Sequence, residues 1–251
     1  MARTWRTAWV TGASSGIGRE LALRLARRGV RVAISARSAE KLNEVAAESD
    51  LILAVPVDVT DRAAVKRAHD EIRAAFGSID LAVLNAGAWH PFDASAYDAA
   101  LADASMAVNY GGVVNALEPL IPAMIEAGRG HLVLVASVAG YRGLPQAAAY
   151  APSKAAVISL AEALRLELHR RGLVVQLVNP GFVETPMTAK NDFPMPYILE
   201  PGDAADRILK GLERTRFEIA FPWQLVTGLK VMAALPYSLY FRVAASFLPR
   251  R

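Results

Sequence analysis

Cysteine is absent from this chain of 251 residues. Without a thiol the protein forms no disulfide, has no thiolate nucleophile and offers no cysteine ligand to a metal. Histidine is scarce, and no two histidines have the H-x-x-x-H spacing of helical zinc sites, so we expect no bound metal. The four histidines are His69, His90, His131 and His169.

Long apolar runs and clusters of one charge are also missing. No uncharged stretch reaches the roughly 18 residues that a membrane-spanning helix needs. The first residues lack the apolar core of a signal peptide, so we expect a cytoplasmic protein. The formal net charge is only +4, and the basic residues are scattered along the chain. We therefore expect no nucleic-acid partner.

The chain is 53% hydrophobic, which suffices for the core of one large α/β domain. Short apolar runs alternate with amphipathic helical stretches, the longest over residues 155–171 and ending at Gly172. Uninterrupted apolar strands are typical of parallel sheets covered on both faces. We predict one α/β domain over residues 1–251, a Rossmann-like doubly wound parallel sheet with helices on both faces. The predicted strands cover residues 7–11, 30–36, 51–57, 81–85, 131–136 and 174–179.

Proline becomes frequent beyond Gly181. Pro186, Pro194, Pro196 and Pro201 follow within a short stretch, which favours irregular structure over another strand and helix. Irregular segments beyond strand ends often carry binding functions. We therefore predict a substrate lid or loop over residues 182–200.

Residues 217–251 form an apolar C-terminal extension with few charges. Apolar side chains repeat there at the spacing of one helix face. Three interpretations stay open: packing on the domain or lid, a subunit interface, and contact with a membrane surface. The repeating residues are Leu225, Leu229, Met232, Tyr240, Ala244 and Phe247, and the cations that would lie near lipid headgroups are Lys230, Arg242, Arg250 and Arg251.

The first predicted strand leads into the sequence T-G-A-S-S-G-I-G at residues 11–18. Gly12, Gly16 and Gly18 permit a tight turn and a close approach to a ligand, and a following helix would direct free N–H groups at a pyrophosphate. The spacing differs from the commoner G-x-G-x-x-G fingerprint of dinucleotide sites. The segment indicates a dinucleotide site, with a glycine-rich packing turn as the alternative.

The same segment matches the G-x-S-x-G nucleophile elbow of serine hydrolases, with Ser14 as the nucleophile. Acidic residues and histidines follow in an order that such enzymes use. The elbow would lie on the first strand, however, and no oxyanion loop precedes it. A serine hydrolase stays open as an alternative.

The second predicted strand ends in Ala36 and is followed by Arg37. An acidic residue at this point binds the adenosine ribose of NAD, whereas a guanidinium can bind the 2′-phosphate of NADP. The sequence therefore favours NADP. The alternative is a solvated loop arginine that pairs with Glu40.

Two further short segments lie at the ends of predicted strands, at the sheet edge where ligands bind in open α/β folds. Asp58 and Val59 come after the third strand, and Asn85-Ala-Gly87 ends the fourth. Asn85 can hold a turn through its side chain, and Gly87 lets the backbone approach a flat ring. Each is also compatible with an ordinary turn.

Ser137, Tyr150 and Lys154 form the clearest catalytic pattern. Ser137 follows the fifth predicted strand, and Tyr150 and Lys154 have the i, i+4 spacing of one helix face. A nearby ammonium lowers the pKa of a phenol, so Lys154 would prepare Tyr150 for proton transfer to a carbonyl oxygen that Ser137 also binds. A surface pair of Tyr150 and Lys154 is the alternative.

Together these motifs resemble the short-chain dehydrogenase/reductase family, of the type that prefers NADP. The similarity covers about residues 5–190. The matching residues are the glycine segment 11–18, Asp58, Asn85, Ala86, Gly87, Ser137, Tyr150, Lys154, Pro180 and Gly181.

The resemblance implies an oxidoreductase that transfers hydride between NADP(H) and a carbonyl or alcohol without a metal. Tyr150 would be the general acid/base, Ser137 would orient the substrate carbonyl, and Lys154 would also hold the nicotinamide ribose. Asn109 would anchor a water that links Lys154 to solvent, although a buried helical asparagine satisfied by backbone has the same appearance in a sequence.

The resemblance also implies the cofactor contacts. Arg37 goes with NADP preference, whereas Ser15 stands where many NADP-using members have a second basic residue, which keeps NAD as an alternative. Asp58 matches the segment beside adenine, and Thr185 the segment beside the nicotinamide. The implied cofactor residues are Gly12, Ser14, Ser15, Gly16, Ile17, Gly18, Arg37, Ser38, Asp58, Val59, Asn85, Ala86, Gly87, Tyr150, Lys154, Pro180, Gly181, Val183 and Thr185.

The expected partner is a small-molecule substrate, a bulky hydrophobic ketone, aldehyde or alcohol, since large apolar side chains follow several predicted strands. The family implies a homodimer or homotetramer, and a non-enzymatic dinucleotide-binding or membrane-surface adaptor stays open. The residues expected to line an apolar substrate cleft are Trp89, His90, Phe92, Tyr141, Leu144, Phe182, Met187 and Phe193.

Overall fold

The protein is built around one parallel sheet of seven strands, in the spatial order β3-β2-β1-β4-β5-β6-β7. The computed structural model describes residues 5–91 and 94–246. Since β1 lies in the middle and the order runs outward from it in both directions, the predicted doubly wound topology is confirmed. The strands are β1 Thr7–Thr11, β2 Arg31–Ser35, β3 Ile52–Ala54, β4 Leu81–Leu84, β5 His131–Val135, β6 Val174–Pro180 and β7 Glu218–Phe221.

Helices connect the strands and cover the sheet. Short helical turns occur at Ala94–Ala96, Ala107–Gly111, Val138–Gly140, His169–Arg171 and Thr188–Lys190, and the second of these is a wide π turn. The longer helices are α1 Gly16–Arg27, α2 Ala39–Ala46, α3 Arg62–Phe76, α4 Ala99–Met106, α5 Gly112–Glu126, α6 Tyr150–Leu168, α7 Pro201–Leu212, α8 Trp223–Ala234 and α9 Tyr237–Ala245.

The sheet has a buried apolar layer on each face. Alternate strand residues point to opposite faces, so Val10 packs into one layer and its neighbour Trp9 into the other. Helices α1, α2 and α7 complete the first layer, and α3, α5 and α6 complete the second. β1, β4 and β5 are buried along their whole length, which explains why they are mainly apolar.

The observed elements differ from the sequence prediction at particular points. Strand β3 covers only Ile52–Ala54, although the N–H groups of Val55 and Val57 still donate to the carbonyls of Ile34 and Ala36. Pro56, between them, lies at the edge of the sheet, where a missing N–H is tolerated. Helix α6 begins at Tyr150 rather than at residue 155. Pro152 fits its first turn because the N–H groups there have no partner within the helix.

The segment over residues 182–200 is irregular, as predicted. It contains a short helical turn and a single bridge between Val183 and Leu199, and α7 begins immediately after it at Pro201. Proline is favoured at the first position of a helix. The role of this segment as a lid stays a prediction.

The C-terminal extension contributes one strand that the sequence analysis missed and two helices. Strand β7 pairs with β6 at the edge of the sheet, and α8 and α9 follow it. Tyr240 and Ala244 are buried as their spacing predicted, whereas Phe247, Arg250 and Arg251 lie outside the described residues. Within the part of the chain that the structure describes, no helix is long and apolar enough to cross a membrane.

Candidate active site

A cleft of about 600 Å³ opens at the carboxyl ends of the central strands. Its walls come from the turns that follow β1, β2, β4, β5 and β6, and from the start of α6. Parallel strands bring these chain-distant segments to one edge of the sheet. Of the predicted site residues, those that line the cleft are Gly12, Ser14, Ser15, Gly16, Ile17, Arg37, Ser38, Asp58, Val59, Asn85, Ala86, Gly87, Ser137, Tyr150, Lys154, Pro180, Gly181, Val183 and Thr185.

The glycine turn after β1 is held against the end of β4. Gly12 has a φ of +68°, and a Cβ atom there would lie 2.8 Å from the Cα of Ala86. The side-chain amide of Asn85 donates to the carbonyls of Thr11 and Gly12, at 3.1 and 3.2 Å. Only glycine meets both demands at position 12, a left-handed backbone and no side chain.

The residues of this turn fit the pyrophosphate of a dinucleotide. Ser15 precedes α1 without capping it through its side chain, which leaves the first N–H groups of a twelve-residue helix without that partner. These groups and the positive end of the helix dipole face the cleft that Ser15, Gly16 and Ile17 line. The cradle therefore suits an anionic group without a basic side chain.

The end of the cleft beyond β2 carries cations. Arg37 is exposed and lines the cleft, and Ser38 caps α2 by accepting a hydrogen bond from the N–H of Lys41 at 3.4 Å. Lys41 also lines the cleft, although the sequence analysis did not single it out. Its position in the first turn of a helix that Ser38 caps is the signal that could have identified it. No ion pair joins Arg37 to Glu40 among the described residues.

Asp58 lies on the same side of the cleft as a fixed carboxylate. Its Oδ1 atom accepts hydrogen bonds from the backbone N–H of Thr60 at 2.9 Å and from the hydroxyl of Thr60 at 2.8 Å. The backbone hydrogen bond is the main cause that lowers the pKa of Asp58, and the charge of Arg37 lowers it further. Asp58 is thus an ionised acceptor at neutral pH.

Ser137 and Tyr150 meet at the far end of the cleft. The Ser137 hydroxyl accepts a hydrogen bond from the N–H of Ala139 at 3.2 Å and donates to the carbonyl of Pro180 at 3.4 Å. Ser137 also lies close enough to Tyr150 to lower the pKa of its phenol. The predicted pair of hydroxyls is therefore brought together beside the turn that follows β6.

Lys154 is buried one helical turn after Tyr150. Its Nζ atom donates to the carbonyl of Val135 at 3.0 Å and lies 5.6 Å from the centre of the Tyr150 ring. The side chain is 3% exposed, and burial lowers the pKa of Lys154 to about 8.

The expected lowering of the Tyr150 pKa is wrong for this arrangement. Burial raises the pKa of Tyr150 to about 12, and the nearby Ser137 side chain opposes that rise. The spacing of Tyr150 and Lys154 indicates the effect of the lysine charge on the phenol pKa. It does not reveal the cost of removing a phenolate from water, which raises that pKa. Tyr150 is consequently a protonated phenol at neutral pH.

Asn109 lies behind the cleft rather than in its wall. Its side chain is 1% exposed, accepts from the N–H of Ala88 at 2.7 Å, and donates to the Ala88 carbonyl at 3.0 Å and to the Ser153 hydroxyl at 2.9 Å. These contacts are those of a buried asparagine satisfied mainly by backbone. The implied role of Asn109 in anchoring a water stays a prediction.

Gly18, another of the predicted cofactor residues, also lies outside the residues that line the cleft.

Gly87 allows the catalytic side chains to lie close to the strand end. A Cβ atom at this position would lie 3.2 Å from Oδ1 of Asn109 and 3.5 Å from Nζ of Lys154. A side chain there would therefore crowd Asn109, whereas its contact with Lys154 would be an ordinary one. The glycine has a packing reason besides the approach to a ligand that the sequence predicted.

The predicted apolar lining is correct only in part. His90 and Met187 line the cleft, the Trp89 ring stands edge-on to Tyr150 with centres 5.0 Å apart, and Phe182 packs against Phe193. Tyr141 does not line it, because its hydroxyl donates to Glu218 at 2.5 Å, and Leu144 does not either. Phe92 lies outside the described residues.

The remaining residues that line the cleft could not be identified from the sequence, because most of them are small or apolar. No chemical signal marks such positions in a sequence. They are Ala36, Val57, Ala88, Ala104, Val108, Val135, Ala136, Pro186 and Thr188.

The hydrolase alternative lacks the side chains it requires. A nucleophilic serine needs a histidine within hydrogen-bond reach and an acid behind it. Ser14 lies in the glycine turn, and over residues 5–91 and 94–246 no hydrogen bond joins it to a histidine. His90, which shares the cleft, contacts the Ser105 hydroxyl at 3.2 Å.

Solved structures with this architecture are similar over nearly the whole chain. A short-chain dehydrogenase from Streptomyces avermitilis superposes with a TM-score of 0.84 at 25% identity, covering 99% of this chain and 100% of that one. A 3-ketoacyl-(acyl-carrier-protein) reductase from Brucella melitensis, solved with NADH, has a TM-score of 0.80 at 31% identity. The coverage is 86% of this chain and 96% of the reductase.

Sequence relatives extend the same similarity. An uncharacterized oxidoreductase of Myxococcus xanthus is 40% identical over 241 residues, which is 94% of this chain and 95% of the relative. Another from Staphylococcus haemolyticus is 34% identical over 209 residues, covering 82% and 90%. The family description "short chain dehydrogenase" matches residues 6–194. With the glycine turn, the hydroxyl pair and the buried lysine at one sheet edge, the chain belongs to the short-chain dehydrogenase family of oxidoreductases.

Proposed function

We propose that the protein is an NADP(H)-dependent reductase or dehydrogenase that acts on the carbonyl or alcohol group of a hydrophobic substrate. The observation that carries the proposal is the meeting of Ser137, Tyr150 and Lys154 in the cleft that the glycine turn also lines. A proton donor, an oxygen ligand and a buried cation beside a dinucleotide cradle suit hydride chemistry better than hydrolysis.

In this proposal Tyr150 is the proton donor during carbonyl reduction. A bound nicotinamide supplies the hydride that the substrate carbon accepts. With its pKa raised to about 12, the Tyr150 phenol is protonated at neutral pH and can give its proton to the substrate oxygen. Ser137 holds that oxygen by a hydrogen bond. In the oxidative direction the deprotonated Tyr150 would receive the alcohol proton.

Lys154 stabilises the negative charge that Tyr150 acquires when it gives up its proton. Its Nζ atom lies 5.6 Å from the Tyr150 ring centre within a buried site, where opposite charges attract more strongly than in water. Since burial lowers the Lys154 pKa to about 8, the lysine is charged below that pH and loses its charge above it.

The preference for NADP over NAD rests on the cations beyond β2. Arg37 and Lys41 line the cleft next to the capped start of α2, and Ala36 occupies the wall before them. A guanidinium suits a phosphate because it can donate two parallel hydrogen bonds. The Brucella reductase was solved with NADH, so the choice of cofactor needs a direct test.

The hydrophobic substrate is inferred from the side chains around Tyr150. Trp89 contacts the Tyr150 ring, and its Nε1 atom donates to Oδ1 of Asn191 at 2.8 Å. This bond joins the turn after β4 to the segment over residues 182–200. Because Met187 and the ring pair of Phe182 and Phe193 belong to the same segment, it offers the substrate an apolar cover.

Replacing Tyr150 with Phe removes the proton donor and little else. We expect Tyr150→Phe to lower kcat by roughly 10² to 10⁴-fold in a spectrophotometric carbonyl-reduction assay, while the Kd for NADPH changes less than about twofold. Tyr110→Phe, which removes a phenol outside the cleft, is the matched control and should keep wild-type turnover. Wild-type turnover in Tyr150→Phe would contradict the role of Tyr150 as the proton donor.

If Arg37 binds the 2′-phosphate of NADP, replacing it should weaken the binding of NADPH more than the binding of NADH. Arg37→Asp should weaken NADPH binding by roughly 10 to 100-fold, because a charge-assisted hydrogen bond to the phosphate becomes a repulsion, and should leave NADH within about threefold. Fluorescence titration with both cofactors measures the ratio. Arg67→Asp on the exposed face of α3 is the control. Equal losses for the two cofactors contradict the role.

The charge of Lys154 predicts the pH profile of reduction. The kcat/KM value, which reports on the free enzyme, should decline as pH rises through about 8, because the lysine with the lowered pKa becomes neutral there. Lys154→Met should be slow at every pH and lack this decline. A wild-type profile that is flat from about pH 6 to 10 would be inconsistent with a charged Lys154 in the reaction.

The apolar cover predicts a dependence on substrate length. From acetone to long-chain methyl ketones, kcat/KM should rise by up to about fourfold for each buried methylene until the cleft is filled. Trp89→Ala should flatten this series, whereas Leu166→Ala on the exposed side of α6 should not. Faster turnover of small polar carbonyls than of lipid-like ones would exclude the proposed substrate class.

A further inference from the structure

Helices α8 and α9 carry much of the exposed apolar surface that the structure describes. None of the twelve residues of α8 is fully buried, and α9 buries only Tyr240 and Ala244. Trp223 is 70% exposed and Phe241 61%. We name as the C-terminal face the six large apolar side chains exposed on these helices. They are Trp223, Val231, Tyr237, Leu239, Phe241 and Val243.

Contacts with the rest of the domain hold the two helices, so the C-terminal face has a fixed position. The guanidinium of Arg142 donates to the carbonyls of Ala233 and Leu235 at 2.5 and 3.4 Å, where α8 gives way to α9. The same guanidinium lies over the rings of Tyr237 and Tyr240. Its contacts hold the junction between the helices in one geometry.

The anchoring loop connects two residues that line the active-site cleft, Ser137 and Tyr150. Arg142 lies between Ser137 and Tyr150 in sequence, and the neighbouring Gly143 accepts a hydrogen bond from the Tyr240 hydroxyl. The C-terminal face is therefore fixed to the segment that connects the two catalytic hydroxyls. A surface that docks through α8 and α9 would lie next to the substrate side of the cleft.

The charge of this region is of one sign. Glu218 is the last acidic residue of the chain, and its carboxylate pairs with Lys230. Beyond it come Arg242, Arg250 and Arg251 without any counter-charge in sequence. Arg242 is exposed on α9. Exposed aromatic rings with uncompensated arginines complement an interface of apolar chains and anionic headgroups.

We propose that the C-terminal face docks on the surface of an anionic phospholipid bilayer, with the rings in the headgroup region and Arg242 at the lipid phosphates. A second copy of the chain fits less well, because a two-fold contact through α8 and α9 would bring their arginines together with no acidic residue on these helices. This docking goes beyond the proposed oxidoreductase function and does not depend on its cofactor or substrate.

The test is co-sedimentation of the full chain with vesicles of phosphatidylcholine, with and without about one quarter phosphatidylglycerol. We expect binding to the anionic vesicles, at least about tenfold weaker binding to the neutral ones, and a decline as salt rises from about 0.05 to 0.5 M. Absence of binding to anionic vesicles at low salt would overturn the proposal.

Variants locate the binding surface. Trp223→Ser/Phe241→Ser should weaken anionic-vesicle binding at least about tenfold, and Arg242→Glu by about fivefold or more. Leu166→Ser on α6 and Arg207→Glu on α7 remove an exposed leucine and an exposed arginine elsewhere and should bind as the wild type does. Circular dichroism identifies any variant that fails to fold. If Trp223→Ser/Phe241→Ser fails to fold, vesicle binding by Arg242→Glu, which changes only an exposed side chain, tests the proposal.

Two outcomes contradict the assignment. If the C-terminal variants and the control variants bind vesicles equally, lipid contacts some other surface. If Trp223→Ser/Phe241→Ser instead lowers the mass measured by light scattering, and the wild type ignores vesicles, the face covers a second copy of the chain. Weaker binding of the C-terminal variants alone, at unchanged mass, supports docking on lipid.

Discussion

The contact between Asn85 and the glycine turn is the constraint on which the active site depends. Its amide donates to the carbonyls of Thr11 and Gly12, and the Thr11 hydroxyl accepts from the N–H groups of Asn85 and Ala86. These bonds hold the ends of β1 and β4 together. The glycine turn, which suits a dinucleotide, therefore keeps a fixed position relative to the turn that contains Gly87. Gly87 in turn lies beside Asn109 and Lys154, which brings the same anchor next to the proposed catalytic lysine.

Burial determines the protonation states of the proposed catalytic groups. The same apolar surroundings raise the pKa of the Tyr150 phenol and lower that of the Lys154 ammonium, because each shift favours a neutral form. Tyr150 therefore stays protonated at neutral pH, beside a Lys154 side chain that is charged only below about pH 8. The two groups are suited to stabilise each other when charge develops on the substrate oxygen.

Much of the fold could be predicted from the sequence, because the central strands are mainly apolar and turn residues separate them from amphipathic helices. The chemistry-bearing residues were predictable too, since glycine, serine, tyrosine and lysine stood at strand ends or one helical turn apart. Strand β7 was missed because it is only four residues long and begins with Glu218, inside a stretch that looked uniformly apolar. The direction of the Tyr150 pKa and the bond from Tyr141 to Glu218 depend on burial and on distant partners, which spacing along the chain does not reveal.

The π turn at Ala107–Gly111 has a consequence for how this chain tolerates insertion and deletion. A wide turn accommodates one more residue than a regular helix of the same rise, and here it holds Asn109 against the backbone of Ala88. Deleting one residue here would restore a regular helix and leave the helical turns on either side in nearly the same orientation. The wide turn that holds Asn109 against Ala88 would be lost, whereas the buried residues of α5 would keep their direction.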